Sequence, residues 1–134
     1  NVWLGVSVED QATADERIPL LLQTPAAVRW VSVEPLLERL TLPGRFHAPK
    51  LDWVVTGGES GPGARPCHLA WLRSIVAQCR AASLPVFVKQ IGSNARTNAV
   101  PGYDDGMEKL ALRDRKGGNM AEWPEDLRVR EYPR

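Results

Sequence analysis

The string Val6-Ser7-Val8-Glu9 returns 25 residues later as Val31-Ser32-Val33-Glu34, and Glu59 stands 25 residues beyond that, after Trp53-Val54-Val55-Thr56-Gly57-Gly58. Each copy has a tryptophan upstream: Trp3, Trp30 and Trp53. A period near 25 is too short for the usual helical solenoids and fits one lean β/α unit. The apolar runs Val2–Val8, Val28–Val33, Leu51–Thr56 and Pro85–Lys89 are largely continuous rather than alternating. That pattern predicts strands covered on both faces.

Helical signals separate the runs. Asp10 is placed to cap a helix over Ala12–Arg17, and Asp15 and Glu16 come early, where acids favour the helix dipole. Pro19 should bend or restart that helix, because proline lacks the N–H and clashes with the preceding turn. Leu36–Leu40 reads as a short helix, followed by a Pro43-Gly44 turn and a loop to Lys50. The clearest helix is Leu69–Ala82, where Leu69, Leu72, Val76 and Cys79 share one stripe and Arg73 and Arg80 lie off it. Strand–helix–strand repetition implies right-handed crossovers and a parallel sheet.

The fold class expected is α/β: a partial (half) TIM-like β/α barrel of about four parallel β/α units over residues 1–91, with an irregular C-terminal extension over 92–134. An open parallel sheet is the alternative. The 134 residues fall short of the about 250 of a complete barrel. The chain opens on Asn1, at the edge of a strand and without an initiator Met, which reads as a piece of something longer. In the extension, Leu110–Arg113 reads as a short strand, Lys116-Gly117-Gly118 as a turn, and Asp126–Tyr132, alternating apolar and charged, as an edge strand.

Bulk properties exclude several function classes. A composition 43% hydrophobic and 25% charged is that of a soluble globular domain, and no run of about 20 apolar residues exists to span a membrane. The net charge of +1 gives no strong nucleic-acid signal. Cys67 and Cys79 form no CxxC pair and no disulfide framework, so a reducing, cytoplasmic setting is expected.

Parallel β/α architectures bind ligands beyond the carboxyl ends of their strands. Those ends carry Ser7, Glu9 and Asp10; Ser32 and Glu34; Thr56, Glu59 and Ser60; and Lys89 with Gln90. The candidate catalytic set is Glu9, Glu34, Glu59 and Lys89, three carboxylates and a lysine able to hold a metal, polarise a substrate or move a proton. The competing reading makes each glutamate a helix cap or an arginine partner. The loop Gly57-Gly58-Glu59-Ser60-Gly61-Pro62-Gly63-Ala64-Arg65-Pro66 is a candidate cofactor or anion loop. Its glycines allow close backbone approach, a helix N-terminus follows, and Arg65 adds a charge. It matches neither GxxxxGK[ST] nor GxGxxG, and a tight structural turn is the alternative. Gly57, Gly58, Glu59, Ser60, Gly61 and Arg65 are the binding candidates within it. His68 reads first as a surface or capping group, His47 has a weaker claim, the three tryptophans read as core, and Cys67 has no activating partner.

Asn1–Glu9, Trp30–Leu37, the Gly57–Pro66 loop, Phe87-Val88-Lys89-Gln90 and Ala121–Arg130 together resemble an uncharacterised phage and prophage protein family, over nearly the whole chain. Members of that family resemble radical S-adenosylmethionine barrels whose longer chains carry a three-cysteine motif for a 4Fe-4S cluster. The resemblance implies a cofactor- and substrate-binding half of such a barrel, with Gly57, Gly58 and Glu59 where those barrels contact S-adenosylmethionine. Cys67 and Cys79 do not match the motif, so a 4Fe-4S cluster would need an upstream segment to supply the cysteines. Two rivals stand beside this reading. One is a metal-dependent barrel enzyme in which Glu9, Glu34 and Glu59 hold a divalent ion. The other is a non-catalytic half-barrel that assembles as a homo-oligomer or with the missing amino-terminal half. The substrate, small molecule or macromolecule, is not specified by the sequence.

Overall fold

Each of the four apolar runs forms a strand, and all four pair in parallel. The computed structural model describes residues 1–43, 50–98 and 107–134. In chain order it contains β1 (Trp3–Val8), α1 (Gln11–Gln23), β2 (Val28–Val33), β3 (Trp53–Gly57), β4 (Cys67–His68), α2 (Leu69–Ala81), β5 (Val86–Gln90), β6 (Ala95–Asn98) and β7 (Met107–Lys109). Two short 3-10 turns follow, at Met120–Glu122 and Glu125–Leu127. The main sheet has the order β1-β2-β3-β5, parallel throughout. A smaller sheet has the order β4-β6-β7, parallel at its first pairing and antiparallel at its second. The protein is therefore mixed α/β with a four-stranded parallel sheet and two helices, and no closed barrel is present among the described residues.

The register divides the main sheet into unlike faces. Gly5 pairs with Trp30 and Trp30 with Trp53, while Ser7 pairs with Ser32, Ser32 with Val55 and Val55 with Phe87. Since side chains alternate across a strand, these residues share one face. The other face carries Val8, Val31, Val33, Val54, Val86 and Val88, which lie in one hydrophobic cluster with Ala14, Ile18 and Leu21 of α1 and Leu69, Leu72, Ile75, Val76 and Cys79 of α2. Both helices thus cover the same face. The expectation of strands covered on both sides is corrected: Trp3 is 55% exposed, and Trp30 and Trp53 are only half-buried. The tryptophans belong to an aromatic group on the open face, not to the helix-covered core. Trp53 is at its centre, with ring centroids 6.3 Å from Trp3, 5.8 Å from Trp30, 6.1 Å from Phe87 and 5.7 Å from Tyr132.

The cap of α1 forms as the sequence predicts. The Asp10 carboxylate accepts from the Thr13 amide at 2.8 Å, and the Thr13 hydroxyl accepts from the Asp10 amide at 3.2 Å. The helix nevertheless runs unbroken through Pro19. An internal proline costs about 3 kcal/mol, whereas burying Ile18 and Leu21 on either side of it gains roughly 1.5–3 kcal/mol each. Packing outweighs the missing hydrogen bond.

No helix forms over Leu36–Leu40. The Leu36 amide donates to the Gly57 carbonyl at 2.9 Å and the Leu37 amide to the Glu9 carbonyl at 3.0 Å, which ties the segment to the ends of β3 and β1 in an irregular path. Gln78 holds the following residues in place, bonding the Leu42 amide at 2.9 Å and the Leu40 carbonyl at 2.8 Å. Gly44 and His47 lie outside the described residues.

The extension is not a separate appendage. Ala95, Trp123, Leu127 and Val129 join the same core as the sheet and helices, so the division after residue 91 does not separate two cores. The strand expected at Leu110–Arg113 is found instead at Met107–Lys109. Of the stretch expected to line an edge, Val129–Glu131 does so: the Val88 amide donates to the Val129 carbonyl and the Glu131 amide to the Val86 carbonyl, both at 2.9 Å. This lays the end of the chain antiparallel along β5 and covers that edge of the sheet.

One glycine is required by this arrangement. A Cβ on Gly5 would overlap the Trp30 indole, which occupies the space beside it. Gly5→Ala is expected to destabilise the protein by about 1–3 kcal/mol through overpacking, and Trp30→Ala in the same chain should recover part of the loss. Urea unfolding of the two variants measures both effects.

Candidate functional site

The carboxyl ends of β1, β2, β3 and β5 all lie at one end of the sheet, because the four strands are parallel. The structure gives each of the three glutamates there a basic partner. Glu9 pairs with Arg17 at 3.6 Å, Glu34 with Lys89 at 3.1 Å and Glu59 with Arg65 at 2.7 Å. Among the described residues no group of three or more His, Cys, Asp or Glu side chains could hold a metal ion, so the three carboxylates are not gathered as one ligand set.

The Glu34–Lys89 pair has a particular geometry. Glu34 follows β2 and Lys89 belongs to β5, while β3 lies between those two strands. The pair therefore spans the carboxyl end of β3. Lys89 alternates with Val88, which is in the core, and so shares the open face with Phe87. Lys89 is 56% exposed and Glu34 17% exposed. The lysine end of the pair is open to solvent while the glutamate is mostly covered, so a ligand reaches the pair from the Lys89 side. Ser32, half-buried, and Ser7, exposed, add hydroxyls to the same face at the same end. Thr56 does not: it is fully buried on the helix-covered face, and its hydroxyl donates to the Val33 carbonyl at 3.2 Å.

Glu59 is held differently. One carboxylate oxygen accepts from the Arg65 amide at 2.7 Å and from Nε at 3.0 Å, and the other accepts from Nη2 at 2.7 Å. The side-chain bonds from Arg65, with its backbone N–H, hold the Glu59 carboxyl down at about 2. Glu9 also acts on the Arg65 guanidinium, which stays firmly protonated. With its oxygens engaged, Glu59 organises the loop rather than standing ready as an acid or base.

The loop's glycines divide into two kinds. Gly57 and Gly58 are buried, and a Cβ on either would meet the backbone of Gln90 or Ile91, so their lack of a side chain serves internal packing. Gly61 and Gly63 have φ of +104° and +71° with open space around them. Ser60 and Arg65 are exposed. The loop does not open directly onto helix amides, because β4 intervenes and His68 occupies the cap position of α2. His68 stacks on Trp71, ring centroids 4.0 Å apart and 6° from parallel.

Sequence reasoning passed over Ser93 and Asn94, which tie the loop to the segment after β5. The Ser93 amide donates to the Glu59 carbonyl at 2.8 Å, its hydroxyl accepts from the Gly61 amide at 2.8 Å, and the Asn94 side chain donates to the Ala64 carbonyl at 3.0 Å. Their signal was available: Gly92-Ser93-Asn94 follows the fourth strand end just as Gly58-Glu59-Ser60 follows the third. Both cysteines are buried, and burial pushes the Cys67 thiol up to about 12, so Cys67 is not a thiolate poised for reaction or ligation.

Because its folded pKa is depressed, Glu59 stabilises the loop at pH values above the ordinary 4.5, and that contribution is lost as pH falls toward about 2. The carboxyl carbon resonance of Glu59 should titrate near 2 in the native protein and move toward 4.5 in Arg65→Gln. A native midpoint near 4.5 would show that the fork is not made in solution.

The fold and site define a mixed α/β protein with a one-sided parallel sheet that presents paired charges at its strand ends. The chain belongs to the family described as Protein of unknown function (DUF5131), whose profile matches residues 1–125. No curated protein and no solved structure matches it. No helix among the described residues is long and apolar enough to cross a membrane.

Proposed function

We propose that the protein is the cofactor- and substrate-binding half of a phage-type β/α barrel resembling the radical S-adenosylmethionine barrels, with its pocket on the open face at the carboxyl ends of the four parallel strands. The observation that carries this reading is the Glu34–Lys89 pair lying across the end of β3 on a face that no helix among the described residues covers. A strand order that advances in one direction, with both helices packed on one face of the sheet, is what one wall of such a barrel requires. The opposite face would then line the barrel interior, and ligands of such barrels sit at its mouth, beyond the carboxyl ends of the strands.

S-adenosylmethionine carries an ammonium and a carboxylate on one carbon. Glu34 accepts from the ammonium and Lys89 donates to the carboxylate, replacing their mutual pair, while Ser7 and Ser32 offer hydroxyls beside them. The cofactor in such barrels supplies radical chemistry when a cluster reduces it. This chain does not fit that cluster: Cys67 and Cys79 are both buried in the core, and Cys67 is held as a thiol. The role assigned to these residues is binding and orientation alone.

Titration of the protein with S-adenosylmethionine, followed calorimetrically, should give saturable one-site binding. Glu34→Gln and Lys89→Met should each weaken it roughly ten- to hundredfold, the worth of a hydrogen bond to a charged group. Absence of binding, or binding indifferent to both substitutions, would sink the reading.

A second reading, assembly with another chain, draws on the apolar end of the open face, where Trp3 (55%) and Tyr132 (63%) are exposed. Burying such area gains about 25 cal/mol per Å², and β5 has its edge covered by the chain's own end. Light scattering over a dilution series should then show a homodimer that Trp3→Ser with Tyr132→Ser dissociates. A monomer at all concentrations removes self-association.

A further inference from the structure

A cavity of about 930 Å³ lies between Gly61–Ala64 and the Lys109–Lys116 segment, with Ser93 and Asn94 also in its wall. It is separate in its residues from the Glu34–Lys89 site. We infer that this cavity binds an organic phosphate of nucleotide size.

Charge points to an anion. Lys109, Arg115 and Lys116 line the cavity and are exposed, and none makes an ion pair among the described residues. The single carboxylate among the described lining residues, Asp114, is engaged elsewhere: it accepts from the Lys116 amide at 3.0 Å and the Gly118 amide at 2.8 Å. Those backbone bonds hold its carboxyl below the usual range, and it attracts Lys116 without an ion pair. Among the described residues three cations face one carboxylate whose oxygens are already bonded, leaving positive charge for a ligand to neutralise. A doubly charged phosphate meets that need in one group, and an arginine forks onto it.

The rest of the lining calls for an organic body. Leu110, Ala111, Leu112 and Pro62 form an apolar wall beside the cations. The volume is near the upper end of the roughly 300–1,000 Å³ typical of small-molecule sites. Two neutral side chains in the wall are engaged within the protein: the Ser93 hydroxyl donates to the Arg115 carbonyl and the Asn94 amide to the Ala64 carbonyl. Recognition therefore falls to the cations and the apolar wall.

The walls are fixed before a ligand arrives. The Glu122 carboxylate accepts from the Asp114 amide at 3.0 Å and also from the Arg113 amide, the Leu110 amide donates to the Ala95 carbonyl at 2.9 Å, and the Ile91 amide donates to the Gly117 carbonyl at 3.0 Å. Gly117 turns the chain with φ of +68°, and a Cβ there would strike the backbone of Gly92. A site built this way loses little conformational freedom on binding.

The test is calorimetric titration of the protein with adenosine 5′-monophosphate, adenosine and inorganic phosphate. The nucleotide should saturate one site, with adenosine and phosphate each at least roughly tenfold weaker. Arg115→Gln with Lys116→Gln should weaken the nucleotide by roughly tenfold or more, with thermal unfolding unchanged because Arg115 and Lys116 join the loop's hydrogen bonds through their main-chain groups. Lys89→Met should leave nucleotide binding intact, which separates this site from the one proposed above. In the unsubstituted protein, added salt should weaken the nucleotide and not adenosine. No nucleotide binding, equal affinity for adenosine and nucleotide, or indifference to the double substitution would each overturn the inference.

Discussion

Parallel pairing commits alternate residues of β1, β2, β3 and β5 to the face that α1 and α2 cover, and the rest of the molecule is arranged around that commitment. Val8, Val31, Val33, Val54, Val86 and Val88 are all essentially buried there. A slip of one residue in any pairing would send these side chains to the open face and bring the serines and tryptophans inward. The hydrophobic gain from the covered face therefore fixes the register. The register in turn places Ser7, Ser32 and Lys89 toward one end of the open face and Trp3, Trp30 and Trp53 toward the other.

Two devices then hold the carboxyl end in shape without using the core. The first is the Glu59–Arg65 fork, which closes the loop after β3 on itself. The second is Ser93, whose amide and hydroxyl join that loop to the segment after β5 and to Arg115. Gly58 and Gly92 are where these two strand-end segments touch, and a Cβ on either would meet the backbone of the other segment. The region that differs most from a simple β/α repeat is thus also the one most densely tied by polar contacts. This is why a loop rich in glycine has a defined form.

The three glutamates that mark the repeat end in three different circumstances. Glu9 makes a loose pair with Arg17 at 3.6 Å, and Glu59 is forked and firmly ionised. Glu34 alone reaches across a neighbouring strand to an exposed lysine. Equal spacing in sequence gave them equal standing as candidates. Their partners, drawn from different elements, distinguish them.

Much of this was legible in the residues. The period of 25, the four apolar runs and the stripe Leu69, Leu72, Val76, Cys79 specified the parallel strands and the second helix, because backbone periodicity and burial leave direct traces in sequence. The Asp10–Thr13 cap was legible in part for the same reason: its chemistry is local. What the tertiary structure alone decided depends on residues far apart in the chain. The open face could not be read, since a continuous apolar run looks alike whether helices cover one side or both, and the tryptophans at its exposed end resemble core residues. The continuous α1 reflects burial of Ile18 and Leu21 outweighing Pro19. The inclusion of Trp123, Leu127 and Val129 in the core, and the cavity between the third strand's loop and the segment after β7, arise from contacts across dozens of residues. No local pattern encodes them, because the free energy that sets them is gained only when the separate parts meet.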